Sequence, residues 1–289
     1  MTGEAARDHE PVPVYCFAHA GAGVSAFHRW RQRPDPAMGL RPVLLPGREK
    51  RRDEPRLTER PALIADLLRS LGPLPVPPRP YILYGHSLGG LVAYSLARAL
   101  ADAGLPAPAL VAVGACPPPD AVTPLADSAE ASDTELVAML SSFGAVPPGA
   151  RPGGTWYRAV LPVLRDDLRL ARALRGAATR PLGVPLLAVA GRRDPIAGPG
   201  VMAGWREWTT DAFVERVLPG DHFFLRDREL PRLLGRACRT LTRFAGRTAP
   251  VPVPIPQDRP AHGAPRGPHH TGTSRRSPMP MGTATRDSR

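Results

Sequence analysis

The sequence predicts an α/β fold in which a mostly parallel central sheet is covered by helices and carries one helical insertion. Three observations predict it. Short, nearly continuous apolar runs alternate with helix-spaced segments, as strands do when both faces of a parallel sheet are covered. One such run, Tyr81-Ile82-Leu83-Tyr84, stops at Gly85 and passes through His86-Ser87-Leu88-Gly89 directly into a helical pattern. The alternation breaks once, between Cys116 and Arg180, where two helical pieces are joined by a Gly- and Pro-rich stretch.

In order, residues 1–11 are polar and read as a flexible N-terminus. Val12 to Ala18 is a short buried strand that ends in the small-residue loop His19-Ala20-Gly21-Ala22-Gly23. Ser25 is placed to cap a helix through Ala26–Trp30. Arg41 to Leu45 reads as the second strand, closed by Pro46-Gly47-Arg48-Glu49. Leu57 to Leu71 has helical spacing, and Pro73 to Pro80 is a stiff connector. After Ser87, the residues Leu88, Leu91, Val92, Leu96, Ala99 and Leu100 mark an amphipathic helix that Gly104 ends. Ala109 to Ala115 is the next strand.

The insertion, residues 116–180, opens with three prolines and contains helices over Asp133–Leu140, capped by Ser132 or Asp133, and Trp156–Leu174. It starts at the C-terminal end of a strand, where α/β sites lie, and so reads as a lid; the plainer alternative is a fixed helical subdomain. Val184 to Ala190 returns to the sheet, Val201 to Trp208 is a short helix, Phe213 to Leu218 the last strand, and Leu230 to Phe244 the closing helix. One domain thus spans residues 12–246. From 247 to 289 the chain is rich in Pro and Arg and poor in large apolar side chains, which predicts a disordered tail.

Composition narrows the function. The formal net charge is +12, and the tail's seven Arg against Asp258 and Asp287 leave +7 on the body. That suits an acidic partner, but no basic stripe interleaved with aromatics points to nucleic acid. Cys16, Cys116 and Cys238 are far apart, with neither a disulfide framework nor metal-ligand spacing. The first fifteen residues lack an apolar signal segment, and no run of eighteen apolar residues spans a membrane. A cytoplasmic monomer with no cofactor of its own is the expectation.

The chemistry centres on Gly85-His86-Ser87-Leu88-Gly89. Strand, Gly-x-Ser-x-Gly, helix is the nucleophile elbow of the α/β-hydrolase fold. Glycines flank the serine because a strand turning at once into a helix leaves no room for Cβ atoms. The elbow lifts the Ser87 hydroxyl above the sheet, beside the unpaired N–H groups of the helix start. The alternative is a glycine-rich βα turn with an incidental serine. A serine also needs a base and an orienting acid, in the order Ser, acid, His. Of the eight histidines only His222, His262, His269 and His270 follow Ser87, and the last three are in the tail. His222 therefore stands as the base. Asp194, just after a buried strand in Gly191-Arg192-Arg193-Asp194-Pro195, is the preferred acid; Asp166, Asp167 and Asp211 are rivals, and Asp221 is too close to His222. Two backbone donors are needed for the oxyanion: Leu88 N–H and, from the first loop, Ala20 N–H. His86 reads as a packing or hydrogen-bonding residue that points away from Ser87.

From Val12 to Phe244 the chain resembles the type II thioesterases of non-ribosomal peptide and polyketide synthases. The resemblance rests on Phe17–Gly23, Leu45–Glu49, Gly85–Gly89, Leu161–Asp167, Gly191–Pro195 and Gly220–Leu225, six motifs in order. It implies an editing enzyme that hydrolyses stalled acyl groups from the phosphopantetheine arm of acyl or peptidyl carrier proteins, with Ser87, Asp194 and His222 as its triad. Where the family has Phe-Pro-His this chain has Phe17-Ala18-His19, and Leu88 replaces the usual Met. The insertion also lacks the family's Glu and Tyr at its end, which bears on acyl-chain preference. Arg48, Arg192 and Arg193 are expected beside the site, where an acidic carrier is one partner they could meet; simply solvated arginines are the plainer alternative. The alternatives are a free-standing esterase or lipase, a product-releasing acyltransferase, or a catalytically dead binding module, against which the intact Ser87, Asp194 and His222 argue.

Overall fold

Six strands form one sheet, every neighbouring pair parallel, in the order β2-β1-β3-β4-β5-β6. They are β1 (Val12–Phe17), β2 (Met38–Pro42), β3 (Ile82–His86), β4 (Leu110–Gly114), β5 (Leu186–Gly191) and β6 (Phe213–Leu218). The structure is a computed structural model that describes residues 10–76, 79–122, 128–147 and 149–248. The helices are α1 (His28–Gln32), α2 (Arg60–Leu71), α3 (Leu88–Asp102), α4 (Asp133–Ser142), α5 (Thr155–Gly176), α6 (Pro199–Met202) and α7 (Glu229–Thr248).

The alternation of side chains along the strands divides the core in two. Tyr15, Phe17 and Leu83 point to one face, where they pack with Leu63 and Leu67 of α2 and Leu91, Val92 and Leu96 of α3. Val14, Cys16, Ile82 and Tyr84 point to the other, against Phe27, Trp30 of α1 and Leu230, Leu234 and Cys238 of α7. All three cysteines are free and buried, and among the described residues no helix is long and apolar enough to cross a membrane. Burying each large side chain is worth about 1.5–3 kcal/mol, so this double-faced core fixes the strand ends that carry the site.

The helical insertion between β4 and β5 has its own small core of Leu136 and Leu140 from α4 with Leu161, Leu164 and Leu168 from α5. Helix α4 starts in a capping box: Ser132 Oγ accepts the Glu135 N–H, and the Glu135 carboxylate accepts the Ser132 N–H at 2.9 Å. Ser132, not Asp133, is therefore the cap.

Some boundaries differ from the sequence reading. The second strand lies three residues earlier than Arg41–Leu45. Its register, Val12↔Met38 through Cys16↔Pro42, is set by β1. Val43 still donates to the Cys16 carbonyl at 2.9 Å, but the ladder ends there and Leu45 turns into the core. Ser25 caps no helix; its N–H and Oγ both donate to Glu49 Oε1, at 3.0 and 2.7 Å. The segment read as one helix over 201–208 is α6 followed by a 3-10 turn, Ala203–Trp208. Helix α7 runs to Thr248, so the first two residues assigned to the tail are helical. The rest of that tail, and residues 1–9, lie outside the described residues. Glu10, at the end of the N-terminal segment, pairs with Arg79.

Candidate active site

Ser87 sits between β3 and α3 with φ 55° and ψ −120°, a conformation costing a non-glycine residue about 1–3 kcal/mol. The fold holds it there from both sides: Ser87 N–H donates to Gly114 O on β4, and Ser87 O accepts the Gly90 N–H, each at 2.8 Å. The flanking glycines are sterically required. A Cβ on Gly85 would lie 1.8 Å from Gly89 O, and one on Gly89 would lie 2.1 Å from Phe17 O on β1.

His222, in the loop after β6, and Asp194, in the turn after β5, come to Ser87 from across the sheet. His222 Nε2 is 3.2 Å from Ser87 Oγ. Its Nδ1 is 2.9 Å from Asp194 Oδ2 and 3.1 Å from Oδ1. Both partners are buried, 3% and 6% exposed. Asp194 Oδ1 also accepts the Ile196 and Ala197 N–H groups at 2.9 and 3.0 Å. Burial opposes ionisation of Asp194. The hydrogen bond and charge of His222, with the Ala197 and Ile196 amides, outweigh it and hold the carboxyl below its ordinary value. An ionised Asp194 fixes the tautomer with hydrogen on Nδ1, leaving Nε2 as an acceptor facing the Ser87 hydroxyl.

The other carboxylates are engaged elsewhere. Asp166 pairs with Arg56 and Arg169, Asp167 with Arg48. Asp211 Oδ1 accepts the Ala212 N–H, and Asp221 Oδ1 accepts the Phe223 N–H. Of the carboxylates among the described residues, only that of Asp194 is bonded to His222.

His86 points away from Ser87 and supports His222 from behind. Its Nε2 donates to the His222 carbonyl at 2.7 Å, so its Nδ1 accepts from Tyr84 Oη at 2.9 Å. Burial, then the charges of His222 and His19, push the His86 pKa well below its ordinary value and keep the ring neutral. Burial, then the charges of His222 and Arg226, take His19 down to about 3. The His19 ring packs edge-on against Phe223, 5.3 Å between centroids, and its Nδ1 is buried without a hydrogen-bond partner among the described residues.

A cavity of ≈ 410 Å³ opens over Ser87 and His222, lined also by Ala20, Phe143, Trp156 and Leu164. A small pocket behind Ser87 is bordered by Ala20 and Leu88. Leu88 is the first residue of α3, so its N–H has no carbonyl within the helix. Ala20 N–H has no protein acceptor among the described residues. Both expected donors therefore border the space next to the hydroxyl. Phe143, which follows α4, packs its ring against His222 at 5.6 Å and also borders a second cavity of ≈ 650 Å³ between the insertion and the segment Pro195–Glu207. That larger cavity contains none of Ser87, His222 and Asp194. No group of His, Cys, Asp and Glu side chains is arranged to hold a metal among the described residues.

Of the arginines expected at the surface, Arg192 and Arg193 are exposed. Arg48 is not: it is 8% exposed and bonded to Asp167, which overturns its assignment to partner contact. The aromatic wall made by Phe143 and Phe223 around His222 was not singled out from sequence, although Phe223 stands inside the quoted Gly220–Leu225 motif.

The family model of the thioesterase domain matches residues 12–240. A curated relative, "Linear gramicidin dehydrogenase LgrE" of Brevibacillus parabrevis, is 31% identical over 79% of this chain and 86% of its own. Among solved structures, "RedJ-Thioesterase from the Prodiginine biosynthetic pathway in Streptomyces coelicolor" is 32% identical, with a TM-score of 0.67 over 78% of this chain and 86% of that one. "YbtT - Type II thioesterase from Yersiniabactin NRPS/PKS biosynthetic pathway" is 26% identical, with a TM-score of 0.69 over 82% and 94%. The first name states a redox activity; the family model and both structures state thioesterase, and the side chains gathered around Ser87 are those of acyl transfer.

Proposed function

The chain belongs to the thioesterase family, and from that premise we propose that it is a type II enzyme that hydrolyses acyl thioesters from the phosphopantetheine arms of carrier proteins in natural-product biosynthesis. Ser87 is the nucleophile, His222 the base and Asp194 the orienting acid. The reading is carried by one observation: Nε2 of His222 lies 3.2 Å from a hydroxyl held at φ 55°, while Nδ1 lies 2.9 Å from a carboxylate.

In the first half-reaction His222 Nε2 takes the Ser87 proton as Oγ bonds to the thioester carbon. The developing oxyanion is met by the Leu88 and Ala20 N–H groups. Collapse breaks the C–S bond, and the proton on Nε2 goes to the departing sulfur, leaving the carrier thiol free and Ser87 acylated. Water then attacks the ester with the same base, and Ser87 recovers its proton as the acid leaves. The helical insertion acts as the lid that bounds the acyl chamber, and exposed Arg192 and Arg193 supply positive charge toward an acidic carrier. A monomer working in the cytoplasm is part of this reading.

The test presents carrier protein loaded with acetyl, propionyl and longer acyl groups beside p-nitrophenyl esters. Carrier-bound short acyl groups are expected to turn over with the higher kcat/KM, and Ser87→Ala to abolish both activities. Equal or better rates on the free esters would reassign the chain to an esterase.

A further inference from the structure

Two motifs, Leu45–Glu49 and Leu161–Asp167, have no part in the chemistry above, yet they meet at the loop that carries Ala20. Residues His19 to Ala22 form a tight turn closed by the Ala22 N–H to His19 O at 3.1 Å. Asp167 on α5 holds that turn through Oδ2, which accepts the Gly21 N–H at 2.7 Å. Arg48 holds it from the other side, donating from Nη1 to Ala22 O at 3.2 Å. The two side chains are locked to each other by a fork of two bonds, Nη1 to Oδ2 at 2.8 Å and Nη2 to Oδ1 at 2.7 Å. The Gly21 and Ala22 N–H groups are both engaged, while Ala20 N–H has no protein acceptor among the described residues.

We infer that Arg48 and Asp167 are positioning residues for the oxyanion site: they clamp the His19–Ala22 turn to the helical insertion and so fix the direction of the Ala20 N–H. The inference rests on the reading of Ser87 as nucleophile and Ala20 as donor. Stability alone is a weak reason for a charged pair at this place. Asp167 is 1% and Arg48 8% exposed, and replacing a buried ion pair by apolar residues of like volume is often neutral or stabilising. The clamp also makes the oxyanion site depend on the insertion, because Asp167 sits on α5 beside Leu164, which lines the chamber, and Leu168, which borders the pocket behind Ser87.

The double variant Arg48→Met/Asp167→Leu tests it in the full chain, assayed on p-nitrophenyl acetate and on the acetyl thioester of N-acetylcysteamine. Its melting temperature is expected to fall only by a few degrees, since both charges leave together and only the backbone partners of the pair, chiefly the Gly21 N–H, lose a hydrogen bond. The kcat is expected to fall about 10- to 100-fold on both substrates, as for a misdirected oxyanion donor, with KM within about threefold. A trifluoromethyl ketone, which forms a tetrahedral adduct, should lose affinity by the same factor as kcat/KM. A folded double variant with kcat within about twofold of the wild type would overturn the inference. Should the apolar pair fail to fold, Asp167→Asn carries the test with the same criteria, because its single oxygen cannot serve both Gly21 N–H and the Arg48 fork. Ser87→Ala, run alongside, separates the two questions: if it retains activity, the reading of the nucleophile fails and not the clamp.

Discussion

Asp194→Asn alters the chemistry at the centre of the site and leaves its volume unchanged. The outcome follows from the partners of the two carboxylate oxygens. Oδ1 accepts the Ile196 and Ala197 N–H groups at 2.9 and 3.0 Å, and Oδ2 faces His222 Nδ1 at 2.9 Å. An asparagine keeps both backbone bonds only with its oxygen at the Oδ1 position, which turns its NH2 toward Nδ1. The opposite orientation leaves two buried donors without an acceptor, at about 1–3 kcal/mol each. The ring must then accept at Nδ1 and carry its hydrogen on Nε2, 3.2 Å from Ser87 Oγ, where it cannot take the serine proton. The expected loss in kcat is on the order of 10⁴-fold, about 5.5 kcal/mol of transition-state stabilisation, with KM little changed. Initial rates on an acetyl thioester, with a thermal melt to show that the fold persists, make the measurement. A folded variant within tenfold of wild-type kcat would refute the reasoning. The acid limb of stability supplies a second readout. The Asp194 carboxyl is held below its ordinary 3.8, so its contribution is complete above that pH and lost as pH falls through the folded value. The asparagine variant should lack this component.

The neutral, buried His86 makes a prediction of the same sign in a higher pH range. Its folded pKa lies well below the ordinary 6.5, so below about pH 6.5 the unfolded chain binds a proton that the native state refuses. Stability is therefore lost as pH falls, at up to about 1.4 kcal/mol per pH unit from this group. His86→Gln, which can still donate to His222 O and accept from Tyr84 Oη, should flatten the decline in melting temperature between pH 7 and 5; an unchanged slope would disprove it. Phe143 lines both the cavity of ≈ 410 Å³ and the one of ≈ 650 Å³. Phe143→Ala should join them and raise the hexanoyl-to-acetyl ratio of kcat/KM by at least about tenfold. A constant ratio would show that the ring does not bound the acyl chain.

How far the sequence was legible depended on how local the determining contacts are. The elbow was readable because its residue pattern, Gly85 to Gly89, falls within five residues, even though Gly89 also approaches Phe17 O on β1. Asp194 could be named because it follows a buried strand and His222 because the other histidines after Ser87 lie in the tail; the parallel order of the strands brings both to one edge. Contacts made across the chain were not readable. Arg48 looks like any exposed loop arginine until Asp167, 119 residues away, arrives to bury it. Ser25 has the form of a helix cap, but a glutamate from a distant loop takes both its donors. The most apolar stretch near the second strand, Val43–Leu45, is not in the sheet, because register is set by where β1 begins and not by local hydrophobicity. Helix α7 runs past its predicted end to Thr248, through Gly246, although a glycine at that place ordinarily stops a helix.

The most direct test of the account is to mix the enzyme with acetyl-loaded carrier protein, quench during the first turnover, and map the acetyl group. The account predicts a transient ester on Ser87, formed as fast as free carrier thiol appears and absent from Ser87→Ala. Release of the carrier thiol with no adduct on Ser87, or undiminished turnover by Ser87→Ala, would contradict it.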